Sequence, residues 1–150
     1  NLTILLMNKL LAKLTEKLKL AGLKITPQRL EVLNLFYGKK LHPTADEVWR
    51  KVRRKFPAIP KATVYNILDT FVEKGIVKVL IIGKEMRFDF NTSFHGHFLC
   101  KKCGKIYDVD LDCIGLGQGN LPELSEGHKL EDFQLNFFGI CKDCLKKEGK

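Results

Sequence analysis

Residues 89–108 contain side chains suited to two different kinds of metal chemistry. This stretch holds Asp89, His95, His97, Cys100, Cys103 and Asp108. Thiolates are the ligands that structural zinc prefers, whereas imidazoles and carboxylates suit an exchangeable divalent ion such as Fe(II) or Mn(II). Because six donors of both kinds are too many for one ion, the sequence predicts two metal sites that share this stretch.

Two C-x-x-C pairs predict a four-cysteine zinc site. Cys100 and Cys103 form the first pair, and Cys141 and Cys144 form the second. Each pair is a tight thiolate chelate, and two pairs complete a tetrahedral site that contributes directly to folding. A redox dithiol is the rival interpretation, and the presence of two matched pairs weighs against it. Cys113 is left over, and we expect it to be an unligated thiol.

The nitrogen and oxygen donors predict a second, regulatory site. His95 and His97 share a face if their segment is extended, and Asp89 and Asp108 supply oxygen from neighbouring strands. His42 lies much earlier in the chain, so its participation would make metal binding fix the angle between two halves of the protein. Three imidazoles and two carboxylates suit Fe(II), Mn(II) or Zn(II). The alternative is that His42 is an ordinary surface or capping residue of its loop.

The excess positive charge is confined to one half of the chain. The formal net charge of the 150 residues is +9 at pH 7. Residues 1–75 contain 15 Lys or Arg and 6 Asp or Glu, whereas residues 76–150 contain 11 of each. The first half is therefore the candidate for binding a polyanion such as DNA, although a lysine-rich soluble surface would give the same count.

The composition favours a globular, cytoplasmic protein. Hydrophobic residues make up 45% of the chain and charged residues 29%, which is typical of globular domains. No apolar run approaches the ~18 residues of a membrane span, so we expect no membrane partner. In a cytoplasmic chain, C-x-x-C spacing favours metal binding over disulfides.

The first half predicts helices followed by a hairpin, which is the order of a winged helix. The predicted helices cover residues 7–21, 27–38, 45–56 and 61–74. Thr26 is the expected N-cap of the second helix, and Thr44-x-x-Glu47 matches a capping box for the third. Residues 76–82 and 86–90 are predicted strands around a turn at Gly83.

The exposed face of the fourth helix carries groups that can contact DNA bases. We expect DNA contacts from Arg29, Lys61, Ala62, Thr63, Tyr65 and Asn66, and from Lys84 on the hairpin. Arg87 on the hairpin is a further candidate for contacting backbone phosphates. Small, amide and hydroxyl groups precede the acidic residues on this helix, as expected when its N-terminal end enters the major groove. An ordinary amphipathic helix with a mixed solvent face is the alternative.

The second half is predicted to be rich in strands. Residues 105–109 and 130–140 are predicted strands, residues 111–120 a glycine-bearing connection, and residues 121–127 a short helix. The apolar pattern of the last strand indicates burial on both faces. In so small a domain, a second subunit is the simplest source of the surface that such a strand needs.

Six motifs in order resemble the ferric uptake regulator family of metal-dependent repressors. They are ITPQR (25–29), HPTADEV (42–48), ATVYN (62–66), RFDF (87–90), HGHFLCKKCGKI (95–106) and CKDC (141–144). The resemblance implies an α+β fold, with a winged-helix DNA-binding domain over residues 1–84 and a small α/β dimerisation domain with the four-cysteine site over residues 85–150. It also implies structural Zn²⁺, regulatory Fe(II) or Mn(II) that Zn²⁺ can replace, and a homodimer on palindromic double-stranded operator DNA.

Departures from the family pattern resemble its peroxide-responsive branch. Positions that carry further metal ligands in iron sensors are Phe94, Gly96 and Phe133 here. Both hinge carboxylates are Asp, and Asn66 stands where many members carry Arg. This branch implies that bound Fe(II) reacts with hydrogen peroxide, that His42 and His95 are the residues oxidised, and that metal and DNA are released. An iron- or zinc-uptake repressor of the same architecture is the alternative.

A zinc-dependent nucleobase deaminase is the candidate from a different class. Its chemistry needs His-x-Glu ahead of Pro-Cys-x-x-Cys, with the Glu as general acid and base. Here His97 follows two residues after His95, and Leu99 precedes the first cysteine. We therefore expect no catalytic residues. A bare zinc-ribbon module also remains open, but it leaves the basic helical half unexplained.

Overall fold

The protein is described from a computed structural model, which describes residues 2–116 and 124–149. The chain divides into two compact units. The first unit extends to Thr92 except for Ile82–Lys84, which belongs to the second unit together with the residues from Ser93 onward. The boundary that we place at residues 84 and 85 between two functional domains stays a prediction.

Helices followed by a hairpin form the first unit, as the sequence predicts. Its elements are α1 (Leu2–Leu20), α2 (Pro27–Phe36), α3 (Ala45–Val52), α4 (Lys61–Glu73), β1 (Lys78–Ile82) and β2 (Glu85–Asp89). The two strands pair with each other in a two-stranded sheet. This order confirms the prediction of a winged helix.

Side-chain caps begin two of these helices where the sequence places them. The Thr26 hydroxyl accepts a hydrogen bond from the backbone N–H of Arg29 at 3.3 Å, and Pro27 is the first residue of α2. At α3, the Thr44 hydroxyl accepts from the Glu47 N–H at 3.3 Å, while a Glu47 carboxylate oxygen accepts from the Thr44 N–H at 2.8 Å. This reciprocal pair satisfies two backbone donors that a helix start leaves without intrahelical partners, and it fixes where the loop before α3 ends.

The core of the first unit lies between the helices and the hairpin. Its buried residues on α4 are Val64, Ile67, Leu68 and Phe71. The rings of Phe36 and Phe90 stack at a centroid distance of 5.0 Å within the same core. Because the apolar stripe of α4 is buried there, its opposite face points to solvent.

A three-stranded sheet with the strand order β4-β3-β5 forms the centre of the second unit. Its elements are β3 (Gly96–Cys100), β4 (Ile106–Val109), β5 (Asn136–Gly139) and the helix α5 (Lys142–Glu148). The central strand β3 is antiparallel to β4 and parallel to β5. The predicted strand over residues 105–109 is confirmed as β4.

Other predictions for this half need correction. The strand predicted over residues 130–140 forms only at Asn136–Gly139, because its partner β3 offers just the five residues Gly96–Cys100 for pairing. It is not buried on both faces: the strand is largely half-buried, and Phe138 is 51% exposed. The sequence analysis also missed α5.

Part of the remaining connection lies outside the described residues. The connection predicted over residues 111–120 contains a short 3-10 helix at Leu111–Ile114, and residues 117–120 are not described. The predicted helix over residues 121–127 is described only from residue 124, where Ser125–Gly127 form a 3-10 turn. Among the helices described, none is long and apolar enough to cross a membrane.

Gly96 begins β3 at a point where a side chain has no room. A Cβ added there would lie 2.9 Å from Leu111 Cδ2 and 3.2 Å from the carbonyl oxygen of Leu135. We expect Gly96→Ala to lower the free energy of unfolding by about 1–3 kcal/mol, since a backbone oxygen cannot move aside cheaply. Denaturant unfolding measures this. The matched control is Gly149→Ala, whose added Cβ would meet nothing nearer than 3.9 Å; equal stability of the two variants would contradict the prediction.

Candidate metal centres

The four cysteines predicted to bind zinc lie together in the second unit. Their sulfur atoms are all within 4.8 Å of one another. The Cys100 and Cys144 sulfurs are 3.9 Å apart, and those of Cys103 and Cys141 are 3.7 Å apart. These distances exclude disulfides, whose sulfurs lie about 2.05 Å apart. They fit a zinc tetrathiolate, since Zn–S bonds of about 2.3 Å in a tetrahedron separate the sulfurs by about 3.8 Å.

Local backbone geometry brings the two C-x-x-C pairs together. Cys100 ends β3, and the parallel pairing of β3 with β5 continues in a hydrogen bond from the Lys101 N–H to the Gly139 carbonyl at 2.7 Å. Cys141 follows two residues after β5 as the N-cap of α5, and Cys144 lies in the first turn of that helix. The Cys141 N–H donates to the Cys100 sulfur at 3.3 Å. The pairing of β3 with β5 therefore places the thiols of Cys141 and Cys144 next to those of Cys100 and Cys103.

Hydrogen bonds prepare two of the sulfurs to be thiolates. A backbone hydrogen bond from Cys103 is the main cause that lowers the pKa of the Cys100 thiol to about 6. The pKa of Cys141 is also lowered, first by a backbone hydrogen bond from Cys144 and then by the Tyr107 hydroxyl. Burial, by contrast, raises the pKa of the Cys144 thiol to about 12. A buried cluster of four thiolates needs a cation for charge balance, and a divalent metal provides it.

Tyr107 is a neighbour of this cluster that the sequence analysis did not identify. It lies on β4 opposite Phe98 of β3, and both rings pack on the cysteines. The alternation of side chains along a strand would have placed Tyr107 and Asp108 on opposite faces of β4. This alternation could have identified Tyr107 from the sequence. Because Asp108 was assigned to the regulatory site, the adjacent Tyr107 had to face the other side of β4.

The second unit also brings together three of the predicted regulatory ligands. His97 on β3 lies directly opposite Asp108 on β4. The rings of His95 and His97 are 4.6 Å apart, and His95 Nε2 is 3.6 Å from Asp108 Oδ1. The side chains of His95 and Asp108 are only 9% and 8% exposed. Their spacing is close to the roughly 3.0–3.4 Å between neighbouring ligands with bonds of about 2.1 Å.

The tautomer of His95 suits metal binding. Its Nδ1 lies 2.9 Å from the carbonyl oxygen of Ser93. Because a carbonyl oxygen can only accept a hydrogen bond, Nδ1 must carry the proton, which leaves a lone pair on Nε2. A backbone carbonyl that fixes the tautomer is a common partner of a metal-binding imidazole. Ser93 gives no sequence signal for this role, since the contact uses its main chain.

The first unit holds the other two predicted ligands, His42 and Asp89. Both residues are buried, at 7% and 3% exposure, and their donor atoms lie within 4.8 Å of each other. The Phe88 N–H donates to the Pro43 carbonyl at 2.8 Å, which joins the loop after α2 to β2. The Asn91 N–H donates to Asp89 Oδ1 at 2.9 Å and orients the carboxylate. His42 is therefore not the exposed loop residue of the alternative interpretation.

The Arg87 side chain does not point into solvent, as a side chain that contacts a DNA phosphate would. One guanidinium nitrogen donates to the His42 carbonyl at 2.9 Å and lies 3.4 Å from a Glu47 carboxylate oxygen. The other nitrogen pairs with Glu85. The expected phosphate contact is thus replaced by contacts within the first unit, because three acceptors surround the guanidinium.

The ammonium of Lys61, a predicted DNA contact, is held by Asp46. Lys61 also lies over the rings of Trp49 and Tyr65, at 5.3 and 5.8 Å. Arg50 pairs with the same Asp46 carboxylate at 2.8 Å. Hydrogen bonding from Lys61 is the main cause that lowers the pKa of Asp46. A DNA phosphate would have to compete with this carboxylate for Lys61.

The other predicted DNA contacts lie on accessible surface. Ala62, Tyr65, Asn66 and Lys84 are exposed, and Arg29 and Thr63 are half-exposed. Arg29, Thr63 and Asn66 line one open groove between α2 and α4. The Arg29 guanidinium donates to the Lys24 carbonyl at 2.7 Å within the unit. Contact with DNA stays a prediction for all seven residues.

Comparison with known proteins decides the family. Residues 20–138 match the ferric uptake regulator family. The chain belongs to this family. It is 43% identical over 136 residues to the peroxide operon regulator of Bacillus subtilis, covering 89% of this chain and 92% of that protein. It is 41% identical over 142 residues to the peroxide-responsive repressor of Staphylococcus epidermidis, covering 88% and 87%.

Similarity to a solved structure supports the same fold. The peroxide stress regulator of Campylobacter jejuni superposes with a TM-score of 0.63 and 27% identity, covering 89% of this chain and 98% of that one. The family match confirms the α+β fold class with its N-terminal winged helix and a small second domain that contains the four-cysteine cluster.

For this family member we expect Cys141→Ser to lose its structural zinc and to unfold more easily, because only three of the four thiolates that close the tetrahedral site remain. Zinc content by atomic emission and thermal unfolding measure the two effects. The control is Cys113→Ser, since the exposed Cys113 thiol donates to the Asp110 carbonyl at 2.7 Å and lies outside the cluster. A folded Cys141→Ser protein with a full zinc content would contradict the assignment.

Proposed function

We propose that this chain is a metal-activated transcriptional repressor that binds palindromic operator DNA as a homodimer and releases it in response to hydrogen peroxide. The observation that carries the proposal is the separation of donor types: the four thiols lie together, whereas the predicted regulatory ligands are three imidazoles and two carboxylates with no thiol among them. The relatives named as peroxide regulators support the choice of signal.

In this proposal Cys100, Cys103, Cys141 and Cys144 hold structural Zn²⁺. They are closely spaced, and three of the four are buried. A four-coordinate site of this kind has no open position for substrate or oxidant. Its function is therefore to hold β3, β5 and α5 together, which maintains the domain that we propose to form the dimer. The exposed Phe138 on β5 offers apolar surface for that contact.

The regulatory ion would take its ligands from both units. The first unit offers only two ligands, His42 and Asp89, which are too few for a stable site. The second unit offers three, His95, His97 and Asp108, and an ion bound by these three can accept further ligands. One ion bound by both sets would restrain the DNA-binding unit with respect to the dimerisation unit. Metal binding then favours one arrangement of the two units, which is the differential affinity that a switch requires. Fe(II) and Mn(II) suit this donor set, and Zn²⁺ can occupy it.

The peroxide response would use the imidazole ligands as the oxidised groups. Bound Fe(II) would activate hydrogen peroxide; in the net reaction one peroxide oxygen would be inserted into a ring C–H bond of a neighbouring imidazole, which gives up two electrons, and the other oxygen would leave as water. His95 and His42 are the candidates that the family resemblance indicates. Oxidation at the ring alters the lone pair on Nε2, which Ser93 keeps available through Nδ1 in the unoxidised protein. Weaker ligation releases the restraint, and DNA affinity falls.

Binding rather than turnover is the chemistry that this arrangement supports. Oxidation of a ligand consumes the site, so we infer no catalytic residues and no enzymatic cycle. We also infer a cytoplasmic location, where operator DNA and reduced thiols are found.

The second candidate is an iron- or zinc-uptake repressor of the same architecture. The observation that favours it is the donor set itself, since the same imidazoles and carboxylates bind Zn²⁺ or Fe(II) without any oxidation. Such a repressor would release DNA when metal is removed, and peroxide would leave it unchanged.

We expect one equivalent of hydrogen peroxide per protomer to abolish operator binding of the Fe(II)-loaded protein and to spare the Mn(II)-loaded protein, because Mn(II) does not support ligand oxidation here. Fluorescence anisotropy measures DNA affinity, and mass spectrometry should find one added oxygen on His42 or His95. Unchanged affinity of the Fe(II) form would reject peroxide sensing and leave the metal-uptake repressor.

We expect His97→Ala to fold and retain structural zinc but to lose metal-dependent DNA binding by about tenfold or more, because the variant removes a buried ligand without touching a thiol. Titration of DNA binding against Mn(II) tests this. His128→Ala is the matched control, since His128 is exposed and its ring faces Glu126. If the two variants respond equally to Mn(II), His97 is not a regulatory ligand.

A further inference from the structure

Arg87 is placed to hold a metal ligand without binding metal itself. Its guanidinium donates to the backbone carbonyl of His42 at 2.9 Å. His42 is only 7% exposed, and the Arg87 side chain is 21% exposed. A hydrogen bond from a charged donor to a carbonyl in a buried loop is among the stronger single contacts that hold such a loop.

A second hydrogen bond holds the same loop against β2. Two residues after Arg87 in the strand comes Asp89, and between them the Phe88 N–H donates to the Pro43 carbonyl at 2.8 Å. Two adjacent residues of β2, Arg87 and Phe88, therefore donate hydrogen bonds to the carbonyls of the adjacent loop residues His42 and Pro43. The consequence is that the His42 imidazole and the Asp89 carboxylate are presented next to each other.

A third link connects this loop to helix α3. The Glu47 carboxylate oxygen that accepts from the Thr44 N–H at 2.8 Å is also 3.4 Å from the Arg87 guanidinium. Thr44 and Glu47 form the capping box of α3. Arg87 thus contacts both the carbonyl of the ligand residue and the carboxylate that starts the following helix.

The ion pairs of Arg87 do not by themselves explain its position. Glu47 and Glu85 are 49% and 57% exposed, and pairs with exposed carboxylates contribute little to stability. An arginine this close to a cation site also repels the cation. Its position beside His42 and Asp89 is therefore explained by the hydrogen bond to the His42 carbonyl rather than by charge.

We propose that Arg87 is a positioning residue for the regulatory metal, which holds the His42 loop on β2 so that His42 and Asp89 bind one ion together. The proposal rests on the function proposed above, in which these two residues are ligands. It adds a determinant of metal affinity that supplies no donor atom.

The test is the affinity of the full-length, zinc-loaded protein for Mn(II), measured by the EPR signal of free Mn(II). We expect Arg87→Gln to bind Mn(II) about 10–100-fold more weakly, the usual cost of losing a residue that orients a ligand. Zinc content and the far-UV circular dichroism spectrum should match the wild type. Charge alone predicts the opposite sign, since removal of a positive charge near the site would strengthen cation binding.

Two further variants separate positioning from charge and from misfolding. Lys78→Gln removes a positive charge from the exposed start of β1 in the same hairpin, and it should not weaken Mn(II) binding. Arg87→Lys keeps the charge and one donor, so its Mn(II) affinity should fall between those of the wild type and Arg87→Gln. If Arg87→Gln does not fold, a weakened but folded Arg87→Lys supports the proposal, and wild-type affinity in Arg87→Lys overturns it.

His42→Ala and Asp89→Ala distinguish failure of this proposal from failure of the proposed site. If both lose Mn(II) binding while Arg87→Gln retains wild-type affinity, positioning by Arg87 is wrong and the site stands. If both bind Mn(II) as the wild type does, the proposed ligand set and the role of Arg87 are both overturned.

Discussion

The hydrogen-bonded pairing of β3 with its two neighbours is the constraint on which both metal centres depend. Its register places His97 opposite Asp108 on one side, while its parallel partner β5 leads directly to Cys141. Side chains alternate along a strand, so His97 and Cys100, three positions apart, point to opposite faces. One short strand thus carries a candidate ligand of each centre and keeps the imidazole away from the thiols. A register shift of one residue would exchange the faces and damage both centres together.

This separation gives the two centres different chemical properties. The thiol cluster is compact, mostly buried and held by strand and helix ends, which suits an ion that stays in place. The nitrogen and oxygen donors come from a loop, strand ends and a strand pair, and they suit ions that exchange more readily. Within each unit, main-chain contacts orient the ligands: the Ser93 carbonyl for His95 and the Asn91 N–H for Asp89. The orientation of these candidate ligands therefore depends on backbone groups that have no sequence signature of their own.

Fewer positive side chains of the DNA-binding unit are available to bind DNA than its composition implies. The first half carries the whole net charge of +9, yet Lys61 is held by Asp46, and Arg87 lies among His42, Glu47 and Glu85. Internal carboxylates and carbonyls compete with phosphate for these cations. Counting lysines and arginines consequently overestimates how many are available for DNA, because each engaged cation must exchange one partner for another.

Local signals in the sequence were enough to predict the starts of α2 and α3, the winged-helix order and both sets of candidate ligands. These signals each act over a few residues, as the Thr26 cap, the Thr44–Glu47 capping box and the paired cysteines do. Their patterns can therefore be recognised in the sequence without knowledge of the fold. Tertiary structure decided what depends on distant partners. The length of β5 is set by β3, the contacts of Arg87 by the His42 loop 45 residues earlier, and the surroundings of the thiols by Tyr107. Such contacts join residues far apart in the chain, and no local pattern encodes which partner will be within reach.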